Sequence, residues 1–240
     1  MVGLTYSYTG AIGKPALDDV DLTIPAGKMT AIVGESGSGK STLMKLLLKF
    51  YAPTSGMIVW GDYDARDYTA ASIRERTGIV MQDNFVFSDT IKQNIILGEA
   101  YDEERLNRAI DMACLREYVD GLPLGIHTHI GTEGNGVSGG ERQRIMIARA
   151  IYKHPLYLML DEATSSLDAD NEARITENIS QEFRGRTLIV IAHRLSTVKN
   201  ADNIVVLRGG KVVEQGTHHE LVEQKGYYYE LVKNQLELAE

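Results

Sequence analysis

No stretch of this chain narrows the possible folds more than Ala31–Leu48, AIVGESGSGKSTLMKLLL. The apolar run Thr30–Val33 reads as a buried strand. The turn Gly34-Glu35-Ser36-Gly37-Ser38-Gly39 follows, and a helix opens at Lys40-Ser41-Thr42. This is G-x-x-x-x-G-K-S with a strand before it and a helix after it, the context the motif requires. Glycines there let backbone N–H groups converge on a phosphate chain, and the helix N-terminus adds partial positive charge. Lys40 is expected to reach the β- and γ-phosphates, and the Ser41 hydroxyl to ligate Mg²⁺. A Gly/Ser loop that only turns a strand into a helix is the plainer alternative. The Lys-Ser pair after the last glycine argues against it.

The 240 residues suit one large α/β domain or two small ones. With 43% hydrophobic and 24% charged residues a packed core is feasible. The net charge of −8 argues against a dedicated nucleic-acid binder, which carries a basic face. A single cysteine, Cys114, excludes a disulfide framework or a cysteine-based zinc site within the chain and fits a reducing cytosol. It falls in a helix-like segment and reads as a small core hydrophobe. No stretch approaches the eighteen apolar residues of a membrane span, and no signal peptide opens the chain.

Residues 3–24 alternate polar and apolar, with Leu17, Val20, Leu22 and Ile24 suggesting antiparallel strands with one buried face. A strand is expected within 53–62, a short helix over Tyr68–Arg76 and a strand over Gly78–Met81. From Asp83 to about Pro155 the character turns helical. Thr90 precedes a helix, Asp102–Tyr118 shows one 3.6-residue period, and Gly121–Gly136 reads as a glycine-rich loop. A helix runs from Glu141 to about Tyr152. The α/β pattern returns with a buried strand at Leu156–Leu160, a helix from about Asp170 to Phe183 and a buried strand at Leu188–Ala192. A hairpin follows around Arg208-Gly209-Gly210, then a terminal helix with the capping-box spacing Thr217-x-x-Glu220.

Four further sites carry chemistry. LYLMLDE, 156–162, puts two carboxylates at the C-terminal edge of a parallel strand, where open α/β sheets bind ligands. Asp161 fits a partner for Mg²⁺ and Glu162 a general base or water-orienting group. An acidic strand end meeting solvent is the alternative, weakened by the phosphate loop ahead of it. Ser138-Gly139-Gly140 at a helix start makes an anion-binding geometry or a simple helix cap. His193 after one strand and Gln82 after another lie at the same edge, either touching phosphate or serving structure.

In order and spacing these segments resemble the nucleotide-binding domain of an ABC transporter, over essentially the whole chain. GESGSGKST resembles the Walker A motif, VMQD the Q-loop, VSGGERQR the family signature and LYLMLDE Walker B. Ser166-Leu167-Asp168 resembles the D-loop, and Ile191-Ala192-His193-Arg194 the H-loop. Tyr8 matches the aromatic that stacks on adenine, with Tyr6 as the competing candidate. The resemblance implies an α/β P-loop NTPase core with an antiparallel β subdomain, over 1–82 and 156–240, and an α-helical subdomain over 83–155. It implies ATP and Mg²⁺ as ligands. Catalysis falls to Glu162, His193, Gln82 and Lys40. Nucleotide contacts fall to Tyr8, Gly34–Thr42, Gln82, Ser138, Gly139, Gly140 and Asp168, and Mg²⁺ contacts to Ser41, Gln82 and Asp161.

The same resemblance implies two copies paired head to tail around two ATP, Ser138 and Gly140 of one completing the site of the other. With the catalytic positions intact, both sites of a homodimer are competent. Phe85-Val86-Phe87-Ser88-Asp89-Thr90-Ile91 is similar to the exporter branch, in which this domain follows a six-helix membrane domain. The implied partners are therefore a transmembrane domain, N-terminal in a parent chain, and a second nucleotide-binding domain. Nucleic acid is not expected, and membrane contact runs only through that partner domain, at the cytoplasmic face of the inner membrane. By the family's pattern the chain starts late in its first strand, so Met1 is read as opening a fragment. Gly226-Tyr227-Tyr228-Tyr229, among other features, resembles bacterial peptide and bacteriocin exporters.

Three departures stand out. Thr132 holds a place where the branch commonly has Glu, with Glu133 one later; Val137 replaces Leu; and Glu141 replaces Gln. One rival is a soluble ABC ATPase acting on DNA or ribosomes, which predicts coiled-coil insertions or paired ATPase units. Neither is in the sequence. Another is a P-loop kinase, which needs an acceptor site and a lid and does not explain the signature or His193, or a GTPase, whose Asn-Lys-x-Asp motif the sequence lacks.

Overall fold

The computed structural model describes residues 1–9, 13–82, 85–131, 136–192 and 195–237, without the side chains of 195–196 and 234–237. The chain divides into two compact units, 1–76 with 185–240, and 77–184.

The first unit opens with β1 (Val2–Tyr6) and β2 (Leu17–Val20), paired antiparallel. Leu4, Leu17 and Val20 are buried while intervening residues are not, the alternation of a sheet with one covered face. The second strand ends at Val20, earlier than Leu22 and Ile24 suggested. Leu22 is buried all the same, its N–H bonded to Met1 O at 3.1 Å. Next come β3 (Met29–Val33), α1 (Lys40–Leu47) and β4 (Ser55–Met57), the last antiparallel to β1. The short pair β5 (Val59–Trp60) and β6 (Tyr63–Asp64) precedes α2 (Ala70–Glu75).

The second unit begins with β7 (Thr77–Val80), then β8 (Asp89–Thr90) and α3 (Ile91–Ile96). The period over Asp102–Tyr118 is split into α4 (Glu103–Met112) and α5 (Arg116–Asp120). Cys114, at φ 53°, breaks it, and its thiol is half-buried instead of belonging to the core. The stretch read as a loop holds β9 (His129–Ile130), antiparallel to β8. Helix α6 (Gly139–Tyr152) packs on α3, α4 and β7 through its buried Ile145, Ile147, Ala148 and Ile151. Strand β10 (Tyr157–Asp161) runs parallel to β7; Leu156, expected in it, is 54% exposed. Helix α7 (Ala169–Glu182) closes the unit. The starts of α3, α4, α6 and α7 are each capped by a side-chain oxygen, from Thr90, Asp102, Ser138 and Asp168. Each such cap satisfies an orphan N–H and stabilises by about 1 kcal/mol.

The chain then returns to the first unit with β11 (Thr187–Ile191), α8 (Leu195–Lys199), β12 (Asn203–Arg208) and β13 (Lys211–Gly216). There β11 and β12 flank β3 in parallel, and β13 pairs antiparallel with β12. All five residues of β11 and five of six in β12 are buried, hence the unbroken apolar runs. The terminal helix is two helices. Thr217 and Glu220 form the expected capping box for α9 (His218–Gln224), Lys225 at φ 51° ends it, and α10 (Tyr227–Glu237) follows. No helix among the described residues is long and apolar enough to cross a membrane.

Candidate nucleotide site

The phosphate loop leaves the C-terminal end of β3, the strand flanked on both sides by parallel neighbours. That edge is where open α/β sheets bind ligands. Gly34 sits at φ 151°, and a Cβ there would fall 2.1 Å from Leu207 O, so no other residue fits. Gly37 and Gly39 also have positive φ, and Glu35, Ser36 and Gly37 are exposed. The Ser38 hydroxyl is buried and has no hydrogen-bond partner among the described residues. Lys40 is 6% exposed; its ammonium donates to Gly34 O at 2.9 Å and to Glu35 O at 2.8 Å. The cation thus lies across the mouth of the loop, bonded to carbonyls that a phosphate oxygen would outcompete by charge.

Ser41 and Thr42 open α1. The Thr42 hydroxyl is 3.0 Å from the Tyr8 hydroxyl. This separates the two tyrosine candidates. Tyr6 is buried, stacked on Tyr51, whereas Tyr8 is 39% exposed and touches the loop's own helix. Its ring meets Tyr6 and Tyr51 edge-on, at 5.0 and 5.6 Å, which fixes its orientation.

In the second unit, Gln82 follows β7 and Asp161 ends β10, 1% exposed. Glu162 comes next at φ 52°, a left-handed backbone that a non-glycine residue adopts only at a cost. The parallel register of β7 and β10 brings Gln82 and Glu162 together, the amide donating to the carboxylate at 3.3 Å. The amide of Gln143, on α6, donates to Glu162 O at 3.3 Å and to Ser165 Oγ at 2.9 Å. Its own oxygen accepts from Ser166 N at 2.9 Å. Gln143 therefore ties the signature helix to the backbone behind Glu162. Sequence reading missed it; its only signal is a place inside VSGGERQR.

Ser138 is the cap of α6, and Gly139 and Gly140 form its first turn. The Glu141 carboxylate folds back to accept from Ser138 N at 2.7 Å, while Glu141 N donates to Ser138 Oγ at 3.3 Å. Asp168 caps α7, accepting from Asn171 N at 2.9 Å and Asn171 Nδ2 at 2.7 Å. Those Asn171 bonds hold its carboxyl below the usual range. His193, Thr132 and Glu133 lie outside the described residues. Among the described residues no three His, Cys, Asp or Glu side chains cluster to hold a metal.

A glycine-walled loop closed by a buried lysine at a parallel sheet edge, with an acid-ended strand, defines a P-loop nucleotide-binding domain. The sequence pattern of the ABC transporter family matches residues 17–165. The chain belongs to the ABC transporter family, and its fold is that of the family's ATPase domain. It is 46% identical to an ATP-dependent lipid A-core flippase of Ralstonia nicotianae, over 94% of this chain and 38% of that protein. It is 44% identical to the Escherichia coli K12 protein of the same name, over 97% of this chain and 40% of that one. A solved bacterial Atm1-family ABC exporter with ATP bound is 38% identical, with a TM-score of 0.93, over 98% of this chain and 41% of that chain. The chain thus spans about two fifths of these relatives' length.

Proposed function

We propose that this chain binds Mg-ATP, hydrolyses it, and so drives export by a membrane transporter of which it is the motor. The phosphate loop carries the reading: a buried Lys40 over a glycine whose Cβ has no room, with the buried Ser38 hydroxyl left to a ligand. In it, Lys40 and the loop N–H groups bind the β- and γ-phosphates, and the Tyr8 ring stacks on adenine. Ser41, Gln82 and Asp161 hold Mg²⁺, which when bound offsets phosphate charge. Glu162 orients the attacking water and accepts its proton, and the Gln82 amide steadies that carboxylate. The family resemblance assigns His193 to the γ-phosphate. Ser138, Gly139 and Gly140 of a second copy complete the site, with Asp168 along the shared face.

The lipid A-core flippases and the Atm1-family exporter support a transmembrane domain as the coupled partner, with this chain on the cytoplasmic side of the membrane. The peptide and bacteriocin likeness has no counterpart among these relatives. The test is Lys40→Ala. It removes the cation at the loop and should abolish turnover and weaken ATP binding at least tenfold. Chelating Mg²⁺ should stop the wild type. Undiminished turnover in Lys40→Ala would overturn the assignment.

A further inference from the structure

Gly226-Tyr227-Tyr228-Tyr229 has no part in the chemistry above, yet it belongs to the same unit as the phosphate loop. The hairpin β12–β13 serves both. At its tip, Gly210 N donates to Ser38 O at 3.1 Å, and Leu207 O abuts Gly34. Further along, the Glu214 carboxylate accepts from Tyr227 N at 2.5 Å and Tyr228 N at 2.9 Å, fixing the start of α10. Gly226 lets the carboxylate lie close: a Cβ there would fall 2.3 Å from Glu214 Oε1 and push that side chain aside. Tyr228 is buried, its hydroxyl 2.7 Å from His218 Nδ1 on α9.

Tyr227 is thereby held toward the loop. Its ring lies 4.5 Å from the Arg208 guanidinium carbon. Its hydroxyl oxygen is buried and closes no hydrogen bond of ordinary geometry among the described residues. A buried hydroxyl in that state is costly unless an acceptor comes to it. The acceptor at hand is Glu35, the only acidic residue of the loop Gly34–Thr42. Burial first, and Glu35 next, push the phenol up to about 12; Arg208 opposes the rise and Glu230 adds to it.

A carboxylate beside a bound triphosphate repels it. We propose that Tyr227 is a positioning residue for the phosphate loop: its hydroxyl, beside Arg208, draws the Glu35 carboxylate to α10 and away from the triphosphate. The last helix then sets nucleotide affinity without touching nucleotide. This rests on the nucleotide reading of the loop.

Tyr227→Phe keeps the ring over Arg208 and removes only the hydroxyl. Affinity for a non-hydrolysable Mg-ATP analogue, and the KM and kcat for ATP, are measured on the 240-residue chain. Losing one charge-assisted bond should raise Kd and KM roughly two- to tenfold with kcat unchanged. The effect should vanish in a Glu35→Gln background. Wild-type affinity in Tyr227→Phe, or an equal loss with and without Glu35→Gln, overturns the proposal. A second readout needs no nucleotide. The tyrosinate absorbance titration of wild type minus Tyr227→Phe isolates this phenol, and Glu35→Gln should lower its pKa. No movement there also overturns the proposal. A phenol that responds to Glu35 in a chain that binds no ATP upholds the contact and removes the nucleotide reading instead.

Discussion

Glu162 carries local backbone strain, and the strain has a use. A left-handed backbone directly after β10 turns the chain out of the strand. For a non-glycine residue this costs about 1–2 kcal/mol. Two amides oppose the cost, Gln82 at the carboxylate and Gln143 at the carbonyl. Glu162→Gln keeps the shape and removes the base. Turnover should fall at least ~100-fold while ATP stays bound, as measured by turnover and by nucleotide retained on a spin column. Gln143→Ala leaves every reacting group in place but frees the backbone behind Glu162. Its turnover should fall several-fold with KM for ATP unchanged; a wild-type rate would show that the tie has no bearing on catalysis. The place of Glu162 was legible, since an acidic pair after an apolar strand marks a ligand-binding edge. Its φ and its Gln143 partner were not. A side-chain amide reaching nineteen residues forward along the chain leaves no periodic trace.

At the scale of elements, the departure at Glu141 finds its meaning in the start of α6. A carboxylate one residue past Gly140 is favoured by the helix N-terminus and, in the proposed assembly, repelled by a partner's phosphates. The capping box decides what the carboxylate does in the chain itself: it accepts from Ser138 N and so orients the signature serine. Glutamine can fill the same place in a capping box. Glu141→Gln should therefore shift ATP-driven dimerisation by less than about threefold, at low and at physiological salt. Glu141→Ala drops the box, costs about 1 kcal/mol of helix-start stability, and should weaken dimerisation about fivefold. Dimerisation constants in the Glu162→Gln background measure both. A large, salt-dependent gain for Glu141→Gln would show that repulsion wins. The box at α9 was read from Thr217-x-x-Glu220, and the same spacing at Ser138-x-x-Glu141 is its twin. The breaks at Cys114 and Lys225 were illegible, because a left-handed residue that is not glycine leaves no composition signal.

Across the whole molecule, the alternation of α/β and helical character was readable, because apolar runs of strand length and 3.6-residue periods differ over tens of residues. What a second copy contributes is the remaining step. In the proposed assembly Ser138 and Gly140, at the capped start of α6, face the nucleotide of the other copy. Each chain has a net charge of −8, so two copies repel at long range, over a Debye length of about 8 Å at physiological salt. Nucleotide adds further negative charge. In the proposed assembly the signature turn's short-range contacts to phosphate, present only when ATP is bound, oppose that repulsion. Two outcomes follow. Turnover per chain should rise with protein concentration before levelling off, because the competent site forms only in the pair. In Mg-ATP, Glu162→Gln should sediment near twice the 26.6 kDa of the single chain, and near the single mass without nucleotide. Adding Ser138→Ala to it should lower the dimer fraction without changing ATP affinity measured at dilutions where only monomer is present. If Glu162→Gln stays monomeric in saturating Mg-ATP, at concentrations where the wild type turns over cooperatively, the signature turn serves its own helix alone and the head-to-tail site is wrong.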